Sequence, residues 1–288
     1  MKPPVPSLTP TWHNDVYPSI DPKNPQLAQV GRTVVVTGAG TGIGREAAIA
    51  FAAAGADHVV LLGRTKSTLE ETRNQIPHNT KTSIFTCDVT DEAAMKDVAA
   101  IVGTWDIFLL NAGYISPPST ITQASLSEYW QNYESNVKSV IIAMQCFLPT
   151  ASPTRPVVLA NTAGTLCFPP SQVPGLSGYL CSKTAQIKTM EFLAAENPNV
   201  FFASVHPGLV ETSIFSRSGA KAEDLPMDTA QLPAAFMVWL SMSEAQFLNG
   251  RTVWANWDVD ELKSQGDEIL SKNLLVTSHA GWPFTYMG

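Results

Sequence analysis

The run Thr33-Val34-Val35-Val36-Thr37 leads directly into a glycine-rich turn, Gly38-Ala39-Gly40-Thr41-Gly42-Ile43-Gly44. Five successive β-branched side chains suit a strand covered on both faces and suit a helix poorly. The alanine-rich stretch over 45–55 that follows reads as a helix closed by Gly55. Strand, tight turn and helix in that order begin a right-handed βαβ crossover, which puts the next strand parallel to the first.

The remainder of the chain repeats the alternation. Short apolar runs at 58–62, 81–87, 105–110, 157–161, 201–206 and 251–255 read as strands. Longer stretches at 67–75, 91–102, 125–148, 179–196 and 229–242 read as helices, the last in spite of Pro233. Strands this uniformly apolar have no wet face, so helices must cover both sides of the sheet. The expected fold class is α/β: one domain, a doubly wound parallel sheet of seven strands. Its core is expected over 31–259, with a substrate lid at about 213–228. Residues 1–30, with prolines at 3, 4, 6, 10, 18, 22 and 25, are expected to form an arm on the surface or a disordered tail. Residues 260–288 form an aromatic tail in which Trp282, Phe284 and Tyr286 cluster with Met287, and which is expected to close over a pocket, pack on a neighbouring subunit or pack on the chain's own surface.

Charge and cysteine content narrow the function classes. A formal net charge of −7 speaks against a nucleic-acid partner. No apolar stretch approaches the roughly 18–20 residues of a membrane span, and the N-terminus lacks the apolar core of a secretory signal. Cys87, Cys146, Cys167 and Cys181 show no paired metal spacing. They read as reduced thiols, so a cytoplasmic location is expected, and no metal is expected.

The glycine turn sits between a strand and a helix, the context in which backbone N–H groups and a helix N-terminus hold a pyrophosphate. Outside that context it would be a structural turn. Tyr179 and Lys183 are four residues apart on an expected helix and therefore share a face. A neighbouring ammonium favours the phenolate and makes tyrosine usable as an acid or base near neutral pH.

The glycines at 38, 42 and 44 form Thr-Gly-x-x-x-Gly-x-Gly rather than the plain dinucleotide fingerprint. With Asp88, Asn111-Ala112-Gly113, Tyr179-Leu-Cys-Ser-Lys183 and Pro207-Gly208-Leu-Val210-Glu-Thr212 in that order, the sequence resembles the short-chain dehydrogenase/reductase family in its classical form. The tryptophan-rich ending resembles fungal members. The resemblance implies a Rossmann fold and hydride transfer between a nicotinamide cofactor and a carbonyl or alcohol. It implies cofactor contacts at Gly38, Thr41, Gly42, Ile43, Gly44, Asp88, Val89, Asn111, Ala112, Gly113, Tyr179, Lys183, Pro207, Gly208, Val210 and Thr212. It implies a catalytic set of Asn136, Thr162, Tyr179 and Lys183, in which Tyr179 moves the proton, Lys183 binds the nicotinamide ribose and Asn136 holds a relay water.

Two departures bear on these implications. The family serine after the fifth strand is replaced in Asn161-Thr162-Ala163-Gly164-Thr165; strand alignment favours Thr162, and Thr165 restores a more usual spacing to Tyr179. The second strand ends in Gly63-Arg64 where NAD users commonly carry an acid. A guanidinium suits a 2′-phosphate, so NADP(H) is expected ahead of NAD(H). Homodimers or homotetramers, through the helices at 125–148 and 179–196, are usual in the family. The expected small-molecule substrate is a bulky, neutral, apolar ketone or alcohol, since Ile214, Phe215 and Met227 give an apolar lid. The altered serine leaves open a cofactor-binding protein with a non-redox or regulatory role.

Overall fold

In a computed structural model, residues 1–279 of the chain are described. Seven strands, β1 (Thr33–Thr37), β2 (His58–Gly63), β3 (Lys81–Thr86), β4 (Ile107–Leu110), β5 (Val157–Asn161), β6 (Phe201–His206) and β7 (Arg251–Trp254), form one sheet. Its order is β3-β2-β1-β4-β5-β6-β7, and every pairing is parallel. Alternation along β1 shows why three consecutive valines are needed. Val34 and Val36 point into one core with helices α1 (Gly42–Ala53) and α8 (Gln231–Leu240), and Val35 points into the other. That second core is closed by α3 (Glu92–Val102), α5 (Ser139–Phe147) and α6 (Ser177–Glu196). Helix α2 (Lys66–Arg73) packs beside β2 and β3.

Local chemistry explains the boundaries. Asp91 caps α3 by accepting from Ala94 N at 3.1 Å. Pro233 lies in the first turn of α8, where the missing N–H has no intrahelical partner to lose. The helix expected over 125–148 is not uniform: α4 (Leu126–Tyr133) passes through a π-helical turn, Glu134–Lys138, into α5. Such a turn inserts one residue into the ladder and often marks a functional site. Trp105 stands before β4 rather than in it, buried, with its indole N–H donating to the Phe147 carbonyl at 2.7 Å.

Three short helices have no counterpart in the sequence reading. They are α7 (Ser213–Arg217), α9 (Val259–Ser264) and α10 (Gly266–Ser271). Residues 1–30 run across the molecule beside α8 and α9, burying Trp12, Ile20 and Leu27. Trp282, Phe284, Tyr286 and Met287 lie outside the described residues.

Candidate active site

The strand order reverses between β1 and β4, and the crevice there opens at the C-terminal ends of the strands, where ligands bind in open parallel sheets. A cavity of about 1330 Å³ occupies it. That exceeds the roughly 300–1000 Å³ of a single small-ligand pocket and leaves room for two reactants.

The floor of the crevice is tied together by Thr37 and Asn111. Thr37 Oγ1 donates to the Leu109 carbonyl and accepts from Asn111 N and Ala112 N, at 3.0, 3.0 and 3.1 Å. Asn111 Nδ2 donates to the Thr37 carbonyl at 2.9 Å, and Asn111 Oδ1 accepts from Asn161 Nδ2 at 2.7 Å. This amide joins β1, β4 and β5, so its side chain is engaged in holding the turn. A side-chain carbon at Gly44 would overlap the Gly38 carbonyl and the Asn111 amide. Only glycine lets α1 begin this close to β1. The first N–H groups of α1, at Gly42, Ile43 and Gly44, lie at the crevice without intrahelical partners.

The remaining expected cofactor residues converge on the same cavity. Gly38, Thr41, Gly42 and Ile43 line one end with Arg64, Asp88 and Val89; Ala112, Gly113, Pro207, Gly208, Val210 and Thr212 line its length. Arg64 is exposed at the rim. Asp88 Oδ1 accepts from Thr90 N and Thr90 Oγ1 at 2.9 and 2.8 Å, which fixes the carboxylate at the end of β3. Thr212 caps α7 by accepting from Phe215 N at 3.2 Å.

Tyr179 and Lys183 project from α6 into this cavity. Lys183 is buried, 3% exposed. Its ammonium donates to the Asn161 carbonyl at 2.7 Å and to Gln186 Oε1 at 3.0 Å, and lies 5.9 Å from the Tyr179 ring centre. Burial pushes the phenol of Tyr179 above its ordinary range and lowers Lys183 to about 7. In the protein alone, burial therefore outweighs the expected stabilisation of phenolate by ammonium.

Asn136, in the π-turn, accepts from Tyr114 N and donates to Tyr114 O and Ser182 Oγ, each at 2.9 Å. Its amide pins the loop after β4 to α6. Thr162 is buried with its backbone N–H on the Val205 carbonyl at 2.8 Å, and its hydroxyl lacks a partner. Thr165 also lines the cavity, half-buried in the turn Gly164–Cys167.

The family model for short chain dehydrogenase matches residues 32–223. The chain belongs to the short chain dehydrogenase family. A short chain dehydrogenase of Monascus purpureus, a fungus, is 32% identical over 94% of this chain and 97% of its own. A solved structure from Pseudomonas syringae, described as a short chain dehydrogenase, is 26% identical, with a TM-score of 0.74 over 81% of this chain and 97% of its own. A 3-ketoacyl-(acyl-carrier-protein) reductase from Brucella melitensis, solved with NADH, shares the fold at 21% identity. Its TM-score is 0.71 over 79% of this chain and 97% of its own.

Several residues that line or support this short chain dehydrogenase's cavity were not singled out from the sequence. Gln186, one turn beyond Lys183, carried a readable signal: i, i+3 spacing on the same helix face. Asn161, a polar residue ending an otherwise apolar strand, carried another. Asp228 carried none, because its partners are distant in sequence. It accepts from Asn14 Nδ2, Asn256 Nδ2 and Leu209 N at 2.6, 2.9 and 2.7 Å.

His206 ends β6 as a packed histidine, and a side-chain carbon on Gly164 would collide with its ring. Burial lowers its pKa to about 4 from 6.5. The unfolded chain takes up a proton on His206 first as pH falls, so stability is lost between about pH 6.5 and 4. The loss reaches about 3 kcal/mol at about 1.4 kcal/mol per pKa unit. Urea unfolding at pH 7 and pH 5 should show the decline, and His206→Phe should flatten it. Equal slopes in the two proteins would refute a buried neutral histidine.

Proposed function

We propose that this chain is an NADP(H)-dependent reductase or dehydrogenase that interconverts a ketone or aldehyde with an alcohol. The observation that carries the reading is the meeting, in one cavity, of a glycine turn at a helix N-terminus with a phenol, a buried ammonium and an unpartnered threonine hydroxyl. The residues present fit a dinucleotide. Gly44 lets α1 start close against β1, Gly42 and Ile43 at the helix start line the cavity, and Asp88 and the 207–212 loop line the path of the dinucleotide. Bound there, a nicotinamide dinucleotide supplies or accepts the hydride.

The chain's own residues handle the oxygen and its proton. Tyr179 is protonated at neutral pH and so holds the proton a carbonyl oxygen would take, although burial raises its pKa and makes it a weaker donor until the phenolate is stabilised. Lys183, when charged, favours the phenolate that this leaves. Thr162 offers its free hydroxyl to the same oxygen. Asn136 holds the loop and helix that frame the pair. Leu126, Trp130, Ile141 and Phe192, exposed on α4, α5 and α6, support a dimer or tetramer through those helices.

Arg64 is the basis for preferring NADP(H). Titration by nicotinamide fluorescence should show NADPH binding that Arg64→Ala weakens by about 10-fold, the weight of one charge-assisted contact. NADH affinity should change by less than about two-fold, since NADH lacks the 2′-phosphate the guanidinium would meet. Equal weakening of both would remove the arginine's role in selection. Binding of neither would overturn the oxidoreductase reading.

A further inference from the structure

Beyond Lys183 the cavity follows the C-terminal ends of β5, β6 and β7, and a line of contacts follows it. The ammonium holds the Asn161 carbonyl, Thr162 and Ala163 lead to Gly164, and Gly164 packs against the His206 ring. His206 lies edge-on to Trp254, with centroids 4.6 Å apart at 78°. Trp254 lies edge-on to Trp12, at 5.8 Å and 72°. Trp12 belongs to the N-terminal arm, and Pro4, Val5 and Trp12 line the same cavity as Tyr179 and Thr162. The arm lies outside the segment that matches the family.

The arm is fixed in this position at several points. Trp12 bridges Trp257. Thr11 N and Oγ1 donate to Glu261 at 2.9 and 2.5 Å, His13 meets Asp258 at 2.9 Å, and the Tyr17 hydroxyl donates to the Trp257 carbonyl at 3.0 Å. These partners are some 240–250 residues away in sequence, so the arm joins the far end of the domain to the cavity.

Pro4, Val5, Trp12 and Trp254 bring no charge to this wall. Both Asp228 oxygens accept hydrogen bonds from Asn14, Asn256 and Leu209, and His206 is neutral at physiological pH. Indole faces and edges favour aromatic partners beyond the simple burial of area.

We propose that the N-terminal arm completes the substrate chamber, and that Trp12, Trp254 and Val5 make the enzyme select a flat, uncharged aromatic ketone. The proposal rests on the oxidoreductase reading above and names the substrate class of that site.

The test uses the full-length protein saturated with NADP⁺ and titrated calorimetrically with 1-tetralone and with 1-decalone, its saturated counterpart on the same two-ring skeleton. The wild type should bind 1-tetralone at least five-fold more tightly than 1-decalone. Trp12→Leu should reduce that ratio to below two, and Val5→Asp should weaken 1-tetralone at least ten-fold, with NADPH affinity as the control for an intact fold. Val5 is half-buried and carries the test if Trp12→Leu does not fold. Equal binding of the two ketones by the wild type overturns the proposal. So do variants that bind NADPH normally and keep the wild-type ketone affinities. Failure of the wild type to bind either cofactor is a different result, which removes the oxidoreductase reading and this proposal with it.

Discussion

Tyr179→Phe should lower kcat for ketone reduction by about 10³-fold while NADPH affinity stays within about two-fold. The substitution removes one hydroxyl and keeps the ring that packs in the cavity wall, so the cofactor cradle on α1 and the 207–212 loop is untouched. General acid catalysis by a positioned side chain contributes about 10²–10⁴ in rate, and no other group on the cavity combines a phenol's acidity with a neighbouring ammonium among the described residues. Thr162 can hydrogen-bond the substrate oxygen but is far too weak an acid to replace the phenol. Single-turnover reduction of 1-tetralone by preloaded NADPH separates the chemical step from binding. If the variant retains more than about a tenth of wild-type turnover, proton transfer does not run through Tyr179. A large rise in the NADPH dissociation constant would instead show that the tyrosine is part of the cofactor's seat.

The sheet was legible because its signal is local. Each strand is an apolar run whose alternate side chains enter separate cores, and Val34, Val35 and Val36 show both destinations in three residues. The glycine turn was legible for the same reason, although α1 begins at Gly42, three residues before the stretch that looks helical. Glycine is a poor helix former, but the first turn needs no hydrogen-bond donors of its own and here gains by close approach. The π-turn at Glu134–Lys138 left no trace because one inserted residue barely disturbs a 3.6-residue pattern over so long a helix. Asn111 shows a different limit. An amide after a strand can face a ligand or bind its own backbone, and spacing does not distinguish the two; here it links three strands. The arm shows the strongest limit. A proline-rich segment has no periodicity, and its order comes from pairs such as Thr11–Glu261 that no local reading connects.

Lys183→Met should abolish most turnover, on the order of 10²-fold or more, and yet stabilise the folded protein at neutral pH. The ammonium is 3% exposed, and burial lowers its pKa from 10.5 to about 7. Between those values the unfolded chain holds a proton that the folded protein has released, so wild-type stability rises with pH across this window. At pH 7 and below the protein carries the full penalty of the buried charge, about 5 kcal/mol at about 1.4 kcal/mol per pKa unit. Methionine removes that penalty but leaves the Asn161 carbonyl and the Gln186 amide without their donor, which costs about 1–3 kcal/mol each. The two orphaned acceptors together cost about 2–6 kcal/mol, which at the middle of that range leaves a net gain of about 1 kcal/mol at pH 7. Toward pH 10 the wild-type lysine is neutral in the fold and the penalty disappears, so the orphaned acceptors decide and the variant becomes the less stable protein. Urea unfolding of both proteins at pH 7 and pH 10 should show the difference in stability change sign. A variant already less stable at pH 7, with the same deficit at pH 10, would mean that the ammonium is well solvated by its two partners.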